Sequence, residues 1–503
     1  MKLVKSLLLG SAAGLIAVGG AQAADLPVKA KAVEYVKICS LYGAGFYYMP
    51  GTDTCIKLGG YLRADAIFGG SGDYGFNYST AAANGGSNNR LTNYYYTRAR
   101  MDLNVDTRTA TEYGVVRTYA DMIFSYDTAN VTGSSPSAFS TGQPSLGLYH
   151  AFIQFAGFTM GRTVSIFDAP WQSYPAGGPD TIPGGSNHVT GINQFAYTAD
   201  FGQGITGSIA LEEPTTQSNG QGNLWNTSGF ASPLAAATAL ITGSAYGSSD
   251  WGGTRSPDIV GAVRVDQAWG LAQFSVAAHN LHAAYYGTTE PTGHPSDKWG
   301  WAVQGSLSIK NIPTGAGDSI NLQAVYTDGM SKENFQVLFP ATFFMFSGTG
   351  VPGAYQSIGL AGVADGVFGA GGSIETVKTW GVRGGYTHNW SPYWVTGVYG
   401  GYGALSYGTN SKALICGIFA NIANAGATCN PDFNFGVVGV NTVWTPVKNL
   451  AFTADLSYSM LDQKFSGTVT APALLGTAAK PPAVYELKDQ NSLTLMLRAQ
   501  RTF

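Results

Sequence analysis

Beyond its first two dozen positions the chain has no run of 18 or more apolar residues, so no helix in it can span a bilayer. Charge is scarce as well. Only 11% of the residues are Asp, Glu, Lys or Arg, where an ordinary soluble domain has about 25%. With 27 basic and 30 acidic residues the balance is mild. It offers no basic face and gives no reason to expect nucleic acid as a partner. There are four cysteines, set as two local pairs, Cys39/Cys55 and Cys416/Cys429. Neither pair forms C-x-x-C or has His close by, so two disulfides in an exported protein are preferred over a metal site.

Catalytic patterns are missing too. His150, His188, His279, His282, His294 and His388 are scattered, with no H-E-x-x-H among them. On a strand His279 and His282 would point to opposite faces. There is no G-x-S-x-G elbow and no P-loop. Gly348–Gly353 does spell G-x-G-x-x-G, but it carries a proline and no helical pattern follows it. These gaps predict a protein that is not an enzyme and needs no cofactor or metal.

Glycine and aromatics are abundant, 68 residues and 13% of the chain. That composition suits a β-protein showing much of its surface to hydrocarbon. Residues 1–23 read as a secretory signal peptide. Lys2 and Lys5 precede the apolar stretch Leu7–Val18, and Ala21-Gln22-Ala23 is an A-x-A cleavage site. The mature chain then starts near Ala24.

The dominant signal is alternation. In the last segment Ser492, Thr494, Arg498, Gln500 and Thr502 share one parity, and Leu493, Leu495, Leu497, Ala499 and Phe503 the other; Met496 is the single apolar residue on the polar side. A strand repeats every two residues, so this segment has one wet and one oily face. It is long enough to cross a bilayer as a tilted strand of roughly 9–11 residues. Tyr94–Asp106 repeats the pattern, with Arg98, Arg100, Asp102, Asn104 and Asp106 against Ala99, Met101, Leu103 and Val105. Five such polar residues cannot be buried dry and must line water.

Ile56–Phe68, Tyr113–Tyr126, Gly147–Phe155, Thr159–Phe167, Gly191–Asp200, Ile205–Glu213, Asp258–Gln267 and Leu271–Tyr285 read likewise. So do Trp299–Ile309, Ser319–Asp328, Val377–Trp390, Trp394–Tyr407, Phe433–Trp444, Leu450–Lys464 and Glu486–Phe503. With Tyr94–Asp106 the total is about sixteen strands. Tight turns such as Ala156–Phe158 and Ser391–Tyr393 alternate with long connections, notably Gly69–Asn93, Pro214–Pro257 and Gly329–Thr376. Short turns on one side and long loops on the other are the outer-membrane pattern. The predicted fold is all-β: a transmembrane antiparallel up-and-down β-barrel over 55–503, preceded by a non-barrel segment, 24–54, clipped by Cys39 and Cys55. Tyr94-Tyr95-Tyr96, Trp299, Trp301, Trp390, Trp394 and Trp444 sit near strand ends, as membrane-interface girdles require.

The stretch from Ala32 to Cys39, then Tyr42-Gly43-Ala44-Gly45-Phe46-Tyr47-Tyr48-Met49-Pro50-Gly51-Thr52, Cys55 and Gly60-Tyr61-Leu62-Arg63, closely resembles the start of the alphaproteobacterial general porin family. Gly161-Arg162-Thr163 followed by a loop, and the aromatic-ended last strand, are similar to the same family. The resemblance implies a sixteen-stranded homotrimeric outer-membrane porin whose third loop folds inward. Outward Gly60, Ala64, Ala99 and Ala120 would permit close subunit contact. The long loops Pro214–Pro257 and Gly329–Thr376 depart from the family, so solute preference is not carried over.

The third long connection, 167–188, is rich in Pro and Gly and is expected to be the constriction loop. Irregular backbone is tolerated at membrane depth only where it lines water or lies within protein. Asp168 and Asp180 would place carboxylates at the narrowest point. Facing them, parity puts Arg63, Arg98, Arg100, Arg117, Arg162 and Arg264 on the lumen side, so that a transverse field sets ion preference. The expected function is passive diffusion of small hydrophilic molecules and ions through a water-filled channel. Outer-membrane lipid and lipopolysaccharide are the surrounding partners. A substrate-specific channel and a structural or adhesive barrel are the alternatives.

Overall fold

The computed structural model describes residues 37–69, 93–128, 143–171, 175–179, 182–214, 224–230, 232–242, 251–335, 342–472 and 480–503. The signal-peptide assignment therefore lies outside the described residues.

Sixteen antiparallel strands close on themselves. In chain order they are β1 (Cys55–Phe68), β2 (Tyr95–Thr111), β3 (Gly114–Asp127), β4 (Gln143–Phe155), β5 (Phe158–Thr163), β6 (Ile192–Asp200), β7 (Ile205–Glu212) and β8 (Asp258–Gln267). There follow β9 (Gly270–Leu281), β10 (Lys298–Lys310), β11 (Ser319–Asp328), β12 (Lys378–Ser391), β13 (Trp394–Ser406), β14 (Phe433–Val447), β15 (Leu450–Gln463) and β16 (Gln490–Thr502). Each pairs with its chain neighbours, and β1–β16 completes the ring, with Tyr61 opposite Thr502 and Phe68 opposite Leu495. Closure leaves no open edge, which a sheet in hydrocarbon requires.

Every predicted strand exists, with ends moved by a few residues. The second strand runs on to Thr111 rather than ending at Asp106, and β5 stops at Thr163 rather than Phe167. There the Gln194 amide donates to the carbonyls of Thr163 (3.1 Å) and Val164 (2.9 Å), turning the chain off the wall. Among the described residues, the segment before β1 holds a 3-10 turn, Ser40–Tyr42, and a two-residue strand whose Tyr47 pairs with Ile56. The Cys39–Cys55 disulfide ties it down, and Cys416–Cys429 is bonded as well.

The outward faces carry exposed Leu62, Leu146, Phe195, Ile209, Phe274, Val398 and Leu493. Large exposed aromatics ring the end with short turns: Tyr113, Phe201, Trp269, Trp390, Tyr393 and Phe503. At the other end Tyr94 and Tyr95 are exposed, but Tyr96 points inward against Ile67 and Met496, so it belongs to no girdle. Its neighbour's parity decides this.

Where described, the loops after β7, β11, β13 and β15 are not open chain. Helices Pro233–Thr242 and Thr409–Phe419 join a four-stranded sheet built from Thr342–Ser347, Gln356–Gly362, Gly467–Ala471 and Ala483–Leu487. Ile241, Phe346, Leu360, Ile415, Phe419, Phe433 and Tyr485 form one continuous apolar core. It runs from these loops down to Ile182 and Tyr399 inside the barrel. The Gly348–Gly353 match falls in the connection between two of these strands, with no phosphate-binding helix after it.

The bore and its constriction loop

The third long loop leaves β5 and crosses the bore to the far wall. Asn321 of β11 donates to the Pro175 carbonyl (2.5 Å), and Asn441 of β14 to the Ala176 carbonyl (2.6 Å). Arg383 of β12 donates to Ser186 O (2.6 Å), and Gln304 of β10 to Phe167 O (2.7 Å). Glycine is required where the loop grazes that wall. A Cβ at Gly184 (φ +101°) would lie 2.3 Å from the Val382 backbone. One at Gly177 (φ +109°) would meet the Asn441 amide at 2.0 Å.

Behind the loop the bore is filled. Phe167 and Met330 pack on inward Ala196, Ala210, Val260, Ala277, Ala302 and Val325, a dry core inside the barrel. Beside it lies a buried ionic seam. Asp168 holds the two stems of the loop together through His188, accepting from its backbone N–H (2.5 Å) and sitting 2.5 Å from its Nδ1. His188 Nε2 is 3.7 Å from Glu333 of the connection between β11 and β12. Next to Glu333, Lys332 pairs with Asp258 (2.7 Å), which also contacts His279 (2.6 Å).

Burial works against both charges of the loop pair, and their mutual attraction outweighs it. The Asp168 carboxyl is held below its ordinary range by His188. The His188 imidazolium, with Asp168 and Glu333 beside it, is raised to about 9. Asp168, His188 and Glu333 each bring a possible ligand atom within 4.8 Å of the others. The 2.5 Å contact is a hydrogen bond, closer than the roughly 3 Å between donors sharing one ion at ordinary ligand distances. Lys332 already places positive charge 4.0 Å from Glu333. The seam is a structural ion network.

In front of the loop a cavity of about 900 Å³ remains. The loop contributes Ala176, Gly177, Gly178, Val189 and Thr190 to its lining. The wall contributes Arg63, Arg98, Arg100, Arg117 and Arg498, together with Asp102, Asp121 and Asp455. Four of the six predicted arginines therefore line the bore. Arg162 does not; it braces the loop by donating to Thr190 O (3.0 Å). Arg264 faces inward nearer the short turns, 3.4 Å from Asp266, outside the cavity lining. Asp168 is corrected most sharply: it is 5% exposed and spent on His188 rather than facing the arginines. Asp180 lies outside the described residues. Arg498 and Asp102 fall on the wet parity read from the sequence but were not expected at the constriction, and Asp121 and Asp455 share that face.

A closed antiparallel barrel with an oily exterior, aromatic end-rings and a polar bore crossed by one loop defines an outer-membrane β-barrel channel. The comparisons with known proteins agree. Residues 25–496 match the family model described as "Porin subfamily", and the chain belongs to that family. Porin Omp2b of Brucella suis is 30% identical over 358 residues, covering 65% of this chain and 84% of the relative. Porin Omp2b of Brucella abortus (strain 2308) is 33% identical over 347 residues, covering 65% and 85%. The fold is similar to the outer-membrane channel DcaP of Acinetobacter baumannii, with a TM-score of 0.53 at 16% identity over 91% of this chain and 99% of that one. The protein is an outer-membrane porin. Family and relatives indicate a channel rather than an enzyme.

Proposed function

We propose that this porin passes small hydrophilic solutes and ions by diffusion, as a homotrimer, through the cavity between the constriction loop and the wall of β1–β3. The observation carrying this reading is the 900 Å³ space lined on one side by loop backbone and on the other by charged side chains. Arg63, Arg98, Arg100 and Arg117 give that wall its positive charge, with the carboxylates of Asp102, Asp121 and Asp455 interspersed. The loop sets the width, because its Pro175–Gly178 stretch is pinned by Asn321 and Asn441. Asp168, buried on His188, supplies no negative charge to that space.

Trimerisation is supported by the outer face near the barrel closure. Exposed Ala64 and Ala99 sit with Ala499 in a groove flanked by Leu62, Met101, Phe124 and Leu146. Small residues let neighbouring backbones approach. Gly60, expected on that face, is instead backed by the Phe503 ring.

Purified protein in a planar bilayer is expected to give discrete, long-lived conductance steps. Liposomes containing it should swell in small sugars and not in large ones. A protein that inserts and yields no steps would end the channel reading.

A further inference from the structure

The charged side chains of the bore lie in cross-strand rows, and two successive rows are built differently. In the row nearer the long loops, Arg498, Asp65, Arg98 and Asp127 follow one another across β16, β1, β2 and β3. Opposite charges alternate and neutralise pairwise. Arg498 reaches Asp65 at 2.7 Å and Arg98 reaches Asp127 at 2.5 Å. One step toward the short turns, the row reads Gln500, Arg63, Arg100 and Ser125. Here two guanidiniums stand directly opposite each other, flanked only by neutral groups.

Like charges placed opposite on neighbouring strands are destabilising. Their neutral neighbours satisfy one donor each: Arg63 Nε donates to Gln500 Oε1 (2.8 Å) and Arg100 Nε to Ser125 Oγ (2.9 Å). Among the described residues neither guanidinium forms an ion pair, whereas Arg98, Arg117 and Arg498 each do. Asp102, in the next row, accepts instead from Asn104 (2.6 Å). The terminal nitrogens of both forks are left for the cavity they line. Aromatic rings flank them, Tyr61 with its centroid 4.4 Å from the Arg63 guanidinium carbon and Tyr149 at 6.0 Å from that of Arg100.

We propose that Arg63 and Arg100 form one discrete oxyanion station in the bore, which holds the carboxylate or phosphate group of a passing solute between two guanidinium forks. Bidentate donors in a fixed plane suit that chemistry, and an oxyanion relieves the repulsion between the two cations. The neighbouring Tyr61 and Tyr149 favour a carboxylate borne on a flat ring. The proposal rests on the channel reading and narrows it: of the five arginines lining the bore, these two alone make the station.

The test is single-channel recording of the full protein in potassium chloride with sodium benzoate added, and in a separate arm sodium phosphate. The station predicts a saturable fall in conductance, with benzoate half-blocking at lower concentration than phosphate. In the double variant Arg63→Gln/Arg100→Gln the half-blocking concentration should rise roughly tenfold or more. Arg63→Lys/Arg100→Lys keeps the charge and loses the fork, so saturation should weaken while ion selectivity stays near wild type. Arg264→Gln, outside the cavity, should leave block unchanged. A non-saturating fall, or equal block in wild type and the Gln double variant, would overturn the station while leaving the channel standing. Tighter block by phosphate would overturn the aromatic preference alone. Absence of conductance steps in the wild type would overturn the channel reading and the station with it.

Discussion

A buried charge must be paired or hydrogen-bonded, and that rule settles what Asp168 does. Placed beside a bore, an Asp reads as a solute-facing carboxylate; placed 2.5 Å from His188 it becomes the clasp of its own loop. Removing one partner of a buried pair leaves the other uncompensated, so Asp168→Asn should destabilise the loop anchorage by about 3 kcal/mol. The pair also carries a pH signature. Because folding raises the His188 imidazolium to about 9, its contribution is complete below about 6.5 and is lost as pH climbs through about 9. Glu333, raised by burial, weakens the seam in the same direction. Asp168, held low, gives up its share only in strong acid. Hydrogen exchange over residues 165–191, corrected for intrinsic rates, should therefore show less protection at pH 10 than at pH 7. His188→Gln should flatten that difference. Equal protection at both values in the wild type would refute the clasp.

At the scale of the element, the constriction loop is a long irregular segment that stays put because it borrows partners from strands. Its backbone groups bond to Asn321, Asn441, Gln304 and Arg383 on the far wall. Gly184 is where loop and wall come closest. Gly184→Ala puts a Cβ 2.3 Å from the Val382 backbone at a φ of +101°, a conformation costing on the order of 1–3 kcal/mol for a residue with a side chain. The loop should be pushed off β12 and into the open half of the bore. The expected outcome is a smaller unitary conductance in an otherwise folded channel, read in the same bilayer assay. An unchanged unitary conductance would show that the contact does not set the loop's position.

At the scale of the molecule, the proposed trimer sets neighbouring copies in competition with lipid for part of the barrel's oily exterior. The groove around Ala64, Ala99 and Ala499 lies on the strands that close the ring. Ala64→Trp should fill it and keep subunits apart. Native gels of detergent-extracted protein are expected to show trimer for the wild type and monomer for this variant, with channel activity retained. A Trp variant that still runs as trimer would move the interface elsewhere. The outer loops act at this scale as well. Their helices and small sheet share one core with Ile182 of the constriction loop and with the wall residues Phe433 and Phe435, so the roof and the far half of the bore are one packed body.

The strands were legible because a side-chain period of two is local, and a bilayer outside with water inside enforces it along every crossing. That is why Arg63, Arg98, Arg100 and Arg117 could be placed on the bore, and why all sixteen segments could be counted. Arg264 obeys the same parity, but parity says nothing of height along the barrel; Arg162 is instead taken up by Thr190 of the loop, a contact the sequence does not show. Nor was the dry half of the bore. Ala196, Ala210, Val260 and Ala277 look like ordinary strand residues until Phe167 is brought against them from a loop. Cross-strand register decided the rest. Arg63 and Arg100 are 37 positions apart, and only the pairing of β1 with β2 sets them face to face. Sequence alone thus determined the barrel, its two faces and its membrane, because those follow from near neighbours along the chain. Tertiary structure decided which half stays open and which charges remain unpaired, because these depend on contacts between residues far apart in the chain.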